Sequence, residues 1–344
     1  MEDTNELAEI NGNTLNKPSI TQASILFSVS VIAFMFLGSR AYEQNFYFGA
    51  FITEMILVFF PAIILLHIYR YDFKKVLRLN RVTITNLILI FLMIVIVIPL
   101  VGMINVAYIY VIKLLFGHIE IPKIPVARTF MELLLNMFFI GAMAGVCEET
   151  LFRGIIQRSY ERLGATKAIF LTAFLFGLMH ADFQRLMGTF LLGALIGFVT
   201  YRTNSLYAGM FAHFSNNCLM IVLTYVIDKI SAESITQGIG GADSNNIKNI
   251  FSSIPTIELI IVTITYTVIG VFFISCFVGV LYIFLKNTSN CNKEKCEKEA
   301  VKIRSFAWII PGITMIALIY LKEGFDLKGI HFELLNKTLN LLLH

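Results

Sequence analysis

The stretch ITNLILIFLMIVIVIPLVGMINVAYIYVIKLLF, residues 84–116, contains a single charged side chain, Lys113. A helix needs about 20 apolar residues to cross the hydrocarbon core of a bilayer. The length and apolarity of this stretch therefore predict a membrane-spanning helix. Because the stretch contains Pro99, we expect that helix to be kinked, steeply tilted or divided in two.

The whole chain has the same apolar character. Of its 344 residues, 57% are hydrophobic and 15% are charged, and the mean hydropathy is +0.76. A soluble domain with this composition could not keep its surface in water, so the composition predicts a multi-spanning membrane protein. The net charge of +4 gives no reason to expect nucleic acid as a partner.

Further apolar stretches predict an all-α fold, a polytopic membrane bundle of about eight to nine transmembrane helices. They lie at 22–39, 46–69, 84–116, 129–152, 167–181, 186–201, 205–227, 257–285 and 305–321. The fifth and sixth stretches are short, which predicts helices that are shielded inside the bundle rather than facing lipid.

These stretches divide the chain into five segments. A polar N-terminal segment, 1–21, lacks the basic region and cleavage site of a secretory signal, so we expect the first span to be retained. Membrane helices at 22–116 and 257–321 flank a central segment at 129–227. We expect the polar loop at 228–256 to be mobile and the tail at 322–344 to lie along the membrane surface.

Basic residues in the loops predict the orientation. Five Lys or Arg residues lie at 70–81, four between Arg153 and Lys167, and six at 286–304, whereas the loops at 117–128 and 228–256 carry two each. Cytoplasmic loops are enriched in Lys and Arg. This distribution predicts a multi-pass protein of the cell membrane whose N-terminus is cytoplasmic.

Ionisable side chains inside the membrane collect in three of the predicted spans. They occur in CEETLFR at 147–153, in FLFGLMHAD at 174–182 and in FAHFSNN at 211–217. Each such group costs roughly 2.5–3.5 kcal/mol on insertion scales, so each requires an explanation. We expect the three stretches to form one polar cluster inside the bundle.

Helical spacing divides the residues of this cluster into pairs. Glu149 and Arg153 lie four residues apart and can pair, which offsets most of the cost of burying either. Glu148 points about 100° away from them and is left to face a cavity. Phe176 with His180, and His213 with Asn217, have the same four-residue spacing.

Two kinds of chemistry suit these residues. In the first, Glu148 takes a proton from a water that it shares with His180, while His213 and Asn217 donate to the developing oxyanion. In the second, His180, His213 and Glu148 bind Zn²⁺ with an open position. No dedicated zinc spacing such as H-E-x-x-H is present, so we favour no metal or cofactor.

A purely structural interpretation is the alternative for each pair taken alone. A single intramembrane His is more often a packing residue than a ligand, and a Glu–Arg pair at helical spacing is often a clasp. Structural pairs would not be expected to collect in three neighbouring spans and to be absent from the others. The concentration of polar pairs in these three spans therefore favours a functional site over a purely structural role.

Glu148-Glu149-x3-Arg153, Phe176-x3-His180 and His213-x3-Asn217 resemble the three motifs of the CPBP family of intramembrane endopeptidases. That family comprises CAAX proteases, bacteriocin-processing enzymes and the Abi proteins, and includes the Ras-converting CAAX endopeptidase. The resemblance covers about residues 129–227. The flanking spans carry no matching motif.

The resemblance implies an endopeptidase that cleaves a membrane-associated protein or peptide in contact with the lipid bilayer. It implies that Glu148 is the base, His180 the second water-activating group, and His213 with Asn217 the oxyanion-stabilising pair. Glu149, Arg153 and Phe176 would support them. Some members are regulators, scaffolds or immunity proteins, which is the alternative function, and an ion-coupled transporter is less favoured because no inverted repeat is evident. The substrate and the oligomeric state stay open.

Overall fold

The computed structural model describes residues 17–119, 126–236, 256–289, 291 and 301–330. In this part of the chain eight helices are long and apolar enough to cross a membrane, and a ninth apolar helix has 15 residues. The predicted all-α membrane bundle is therefore confirmed. The helices are α1 (Ile20–Gln44), α2 (Phe46–Ile68), α3 (Ile84–Phe116), α4 (Phe130–Leu163), α5 (Ala165–Met179), α6 (Leu186–Thr203), α7 (Leu206–Thr236), α8 (Thr256–Asn287) and α9 (Ile303–Leu327).

Two of the predicted boundaries are wrong. Helix α4 continues to Leu163 instead of ending at 152, so Arg153 and Arg158 lie in the helix and not in a basic loop. Arg158 is tolerated there because Glu161, three residues later, accepts from it at 2.8 Å. Helix α7 continues to Thr236, so the first part of the expected polar loop is helical.

Helix α3 is continuous from Ile84 to Phe116 and is not divided at Pro99. Of the two short helices, α6 is shielded as expected, since all its side chains are buried or half-buried. Helix α5 is not fully shielded, since Phe170, Leu171 and Phe174 keep 41–51% of their surface exposed. Helix α5 packs against α4 and α6, and the face that carries these three side chains is left uncovered.

The remaining expectations fall partly or wholly outside the described residues. These are the polar segment at 1–16, the loop at 237–255 and the tail beyond 330. The described start of the tail continues α9 as far as Leu327. The membrane sidedness of the loops stays a prediction.

Two clusters of buried apolar side chains hold the bundle together. One is formed mainly by α1, α2, α4 and α5, and the other by α3, α6, α7 and α8. Helix α9 packs on α1, where the Ser28 hydroxyl donates to the Trp308 carbonyl at 2.6 Å and accepts from the Gly312 N–H at 3.1 Å. Gly312 permits this approach because a Cβ there would lie 2.9 Å from the Cα of Ser28.

Helix α4 contains two π-helical stretches, Met137–Met143 and Thr150–Gln157. The α-helical stretch between them, Ala144–Glu149, carries the two adjacent glutamates. π-Helical turns are rare and occur frequently at functional sites, because the widened turn changes where side chains project. Similar stretches occur at Phe34–Gly38 in α1 and Ile52–Phe59 in α2, so this backbone feature is not confined to the helix that carries the glutamates.

Candidate active site

Glu149 lies at the centre of a buried polar cluster between α4 and α7. Its Oε1 atom accepts from the Arg153 Nη1 at 2.7 Å, which confirms the pairing predicted from their spacing. The same oxygen accepts from the His213 Nδ1 at 2.9 Å. The Glu149 side chain is 0% exposed, so the positive charge of Arg153 offsets a carboxylate that water cannot reach.

Glu148 has different surroundings, although it is the next residue. Its side chain keeps 18% of its surface exposed, and its Oε2 atom lies 3.7 Å from the His213 Nε2. That oxygen has no hydrogen-bond partner among the described residues. His213 therefore lies between two carboxylates, one that holds its Nδ1 and one that faces its Nε2.

Phe176 connects the two imidazoles. Its ring centroid lies 4.8 Å from that of His180 and 5.8 Å from that of His213, in edge-to-face geometry in both cases. The Arg153 guanidinium lies over the same ring at 4.6 Å. The Phe176 ring, which the four-residue spacing placed on the same face as His180, thus also contacts the ion pair of α4.

The tautomer of His180 follows from its contact with the backbone. Its Nδ1 lies 2.9 Å from the Phe176 carbonyl oxygen, which can only accept, so Nδ1 carries the proton. In the neutral ring Nε2 is then an acceptor. His180 is the residue at which α5 ends, and its side chain is half-buried.

Asn217 lies one turn beyond His213 on α7 and binds the backbone of α4. Its Nδ2 donates to the Ile140 carbonyl at 2.8 Å, and its Oδ1 accepts from the Asn216 side chain at 3.0 Å. The Nδ2 of a carboxamide has two N–H groups. One is committed to α4, and the second is available for a ligand.

Gln157 lies four residues after Arg153, just as Arg153 lies four residues after Glu149, and it was not among the site residues predicted from the sequence. Arg153 donates to the Gly193 carbonyl at 2.9 Å, and Gln157 donates to the Gly197 carbonyl at 3.0 Å. These two contacts join α4 to the backbone of α6, and we name them the α4–α6 polar ladder. A repeated four-residue polar spacing along an apolar helix was the signal that could have revealed Gln157.

Glu54 of α2 is a third carboxylate in this region. It lies close enough to Glu148 to interact with it electrostatically, and its Oε2 atom is buried without a hydrogen-bond partner in the described part of the chain. The neighbouring Met55 contacts Cys147 through their sulfur atoms at 3.5 Å. The sequence marks Glu54 only as an isolated acid inside a span, because α2 carries no other polar residue at helical spacing from it.

The zinc alternative predicted from sequence requires three ligands in one place. Within the described residues, no three His, Cys, Asp or Glu side chains form a group that could hold a metal ion. His180 and His213 each commit Nδ1 to another partner, the Phe176 carbonyl and Glu149 respectively. These contacts leave the Nε2 of both rings uncommitted, which is the usual arrangement of a metal-ligating imidazole, so the expected absence of zinc stays a prediction.

Fold and site together define a polytopic membrane protein with a buried cluster of carboxylate, imidazole and amide side chains. Residues 130–219 match the family model of the type II CAAX prenyl endopeptidases, described as Rce1-like. The match confirms the resemblance of this segment to the CPBP family and supports a CAAX-type intramembrane endopeptidase. No curated protein and no solved structure matches the chain.

Proposed function

We propose that this protein is an intramembrane endopeptidase that uses Glu148 to activate a water molecule. The observation that carries the proposal is the position of His213 between two carboxylates of unequal exposure. Glu149 is closed off and neutralised by Arg153, whereas Glu148 is partly exposed and has no cation of its own at hydrogen-bond distance. The Glu148 Oε2 is buried, but it makes no hydrogen bond within the described residues, and a base that accepts a proton from water needs such an uncommitted oxygen.

In this proposal each group has a role in hydrolysis. Water binds between Glu148 and the Nε2 of His180, and Glu148 takes its proton as the water oxygen attacks the peptide carbonyl carbon. The second Nδ2–H of Asn217 donates to the oxyanion that forms. Glu148 then gives its proton to the leaving amine as the peptide bond breaks.

His213 assists at the oxyanion by donating from Nε2. Because its Nδ1–H is held by Glu149, donation from Nε2 as well requires that both ring nitrogens carry a proton. We favour this metal-free mechanism because an Asn amide is a poor zinc ligand and a good oxyanion donor.

The substrate class follows from the family of the central segment. We propose a membrane-associated protein or peptide with a prenylated, CAAX-type C-terminus, and take bacteriocin or leader peptides as the alternative. The basic residues at 70–81 and 286–304 support a cell-membrane protein with a cytoplasmic N-terminus. A membrane-impermeant thiol reagent that labelled Cys291 in intact cells would contradict that orientation.

Substrate trapping tests the proposal. The Glu148→Ala variant, expressed in native membranes and purified with its bound peptides, should retain intact substrates that the wild type releases as products. Mass spectrometry of the retained peptides should show prenylated C-termini. If the wild type and the variant retained the same peptides, the proposed endopeptidase function would be contradicted.

A non-proteolytic regulator or immunity protein is the second candidate. It is favoured by the fact that Asn217 and the Nδ1 of His213 are already engaged between α4 and α7, where they hold the helices together. Full complementation of a deletion strain by Glu148→Ala would support this function. Failure of that variant to complement, at normal membrane levels, would exclude it.

A further inference from the structure

The loop that follows His180 is held from outside the family-matched segment. It comprises residues 180–185, which connect α5 to α6, and we name it the His180 loop. Ala181 adopts a left-handed backbone conformation with φ 49°. A residue other than glycine keeps this conformation only where its surroundings enforce it.

Part of that enforcement is local. The Asp182 Oδ1 accepts from the backbone N–H groups of Gln184 and Arg185 at 3.0 and 3.1 Å. Its Oδ2 pairs with the Arg185 Nε at 2.9 Å. These contacts shape the start of α6 but do not connect the loop to any other helix.

The connection to other helices is made at Phe183. Its backbone N–H donates to the Glu323 Oε2 of α9 at 2.9 Å, and its carbonyl accepts from the Tyr108 hydroxyl of α3 at 3.0 Å. Its ring lies against those of Phe116 and Tyr320, with centroids 5.6 and 5.7 Å away. Both backbone groups of one residue are thus bound by side chains from two flanking helices.

Glu323 is half-buried and lies in the charged last turns of α9, next to Lys322 and three residues before Asp326. If the only need were to satisfy one N–H group, a neutral acceptor would suffice. Glu323 instead forms a charge-assisted hydrogen bond, which is shorter and more directional than a neutral one.

We propose that Tyr108 and Glu323 are positioning residues for His180, an inference that rests on the proposed function. They fix Phe183, and Phe183 fixes the left-handed turn that sets where the imidazole of His180 lies relative to Glu148. The flanking helices α3 and α9, which carry no family motif, thereby complete the active site.

Three variants test this inference in the full-length protein. Tyr108→Phe removes only the hydroxyl, and Glu323→Leu removes the acceptor at similar volume. Glu323→Gln retains an oxygen that can accept from Phe183. Tyr110→Phe and Asp228→Leu are the controls, since both residues are exposed on α3 and α7.

The assay is cleavage of a farnesylated, internally quenched CAAX peptide in proteoliposomes. We expect Tyr108→Phe and Glu323→Leu to lower kcat by about ten- to a hundredfold, because a displacement of about 1 Å in a catalytic group has an effect of that size. KM should stay within about twofold, since substrate binding is not altered. Glu323→Gln should restore most of the kcat, and the controls should match the wild type.

Unchanged kcat in Tyr108→Phe and Glu323→Leu would overturn the inference. A loss of activity that parallels a loss of folded protein would also overturn it, because the contacts would then only stabilise the bundle.

A second measurement is independent of the substrate. Amide hydrogen exchange at 181–186 should be faster in Tyr108→Phe and Glu323→Leu than in the controls, and equal exchange would overturn the inference. If Glu148→Gln cleaves the peptide at the wild-type rate, the proposed function fails. If Glu148→Gln is inactive while Tyr108→Phe and Glu323→Leu cleave at the wild-type rate, only the positioning role is refuted.

Discussion

Glu149 shows what residue spacing can and cannot predict. Its pairing with Arg153 follows from the four-residue spacing on one helix and is confirmed at 2.7 Å. Its bond to His213, 64 residues away, was not predictable from spacing, because periodicity shows which residues share a face but not which helix that face meets. For the same reason Glu149 was expected to support the site and was not expected to hold an imidazole directly.

At this scale we predict the effect of removing one member of the buried ion pair. Arg153→Met should lower the free energy of unfolding by about 3–5 kcal/mol, because it leaves the carboxylate of Glu149 buried without a cation. The double variant Arg153→Met/Glu149→Gln should recover part of that loss, since no uncompensated charge remains. Denaturation in mixed micelles measures both.

The matched control for that prediction is Lys75→Met. Lys75 pairs with Asp72 at 3.7 Å with 70% of its side chain exposed, and exposed pairs of this kind contribute about 0–1 kcal/mol. Equal losses in Lys75→Met and Arg153→Met would refute the role assigned to the buried pair.

At the scale of the element, the α4–α6 polar ladder joins the helix that carries the glutamates to α6. Arg153 and Gln157 donate to carbonyls of α6 that lie four residues apart, so the two helices are fixed in register. The sequence could not predict that the carbonyls of Gly193 and Gly197 are the acceptors, because every residue of a helix carries the same backbone group.

Gly197→Ala tests the ladder. A Cβ at this position would lie 2.6 Å from the Gln157 Oε1 and 3.4 Å from Ile169, so the amide of Gln157 must move away from α6. We expect a loss of about 1–3 kcal/mol in unfolding free energy, the cost of leaving a buried polar group unsatisfied. The measurement is the same micellar unfolding.

Gly279→Ala on α8 is the control, because a Cβ there would meet nothing within 4 Å. Since Ala favours helix by up to about 1 kcal/mol over Gly, this variant should be as stable as the wild type or more stable. If Gly197→Ala behaved like Gly279→Ala, the ladder would contribute nothing to the packing of α4 on α6.

For the whole molecule, the number of helices and the fold class were predictable because a membrane span has a nearly fixed apolar length. The end of α4 was not, since the buried network of Arg158 with Glu161 lets charged residues continue the helix beyond the apolar stretch. The contribution of α9 to the site was also not predictable from the sequence. Glu323 lies within what the sequence showed as a polar tail, and only the packing of the bundle brings it to the His180 loop.

The central claim is that Glu148 is the base of an intramembrane endopeptidase. The most direct measurement is the rate at which purified wild type and Glu148→Gln, in proteoliposomes, cleave the farnesylated CAAX peptide. General-base catalysis contributes a rate factor of about 10²–10⁴, so the kcat of Glu148→Gln should be lower than that of the wild type by at least about a hundredfold. The thermal unfolding midpoint of Glu148→Gln should equal that of the wild type. Cleavage by Glu148→Gln at the wild-type rate would contradict the account.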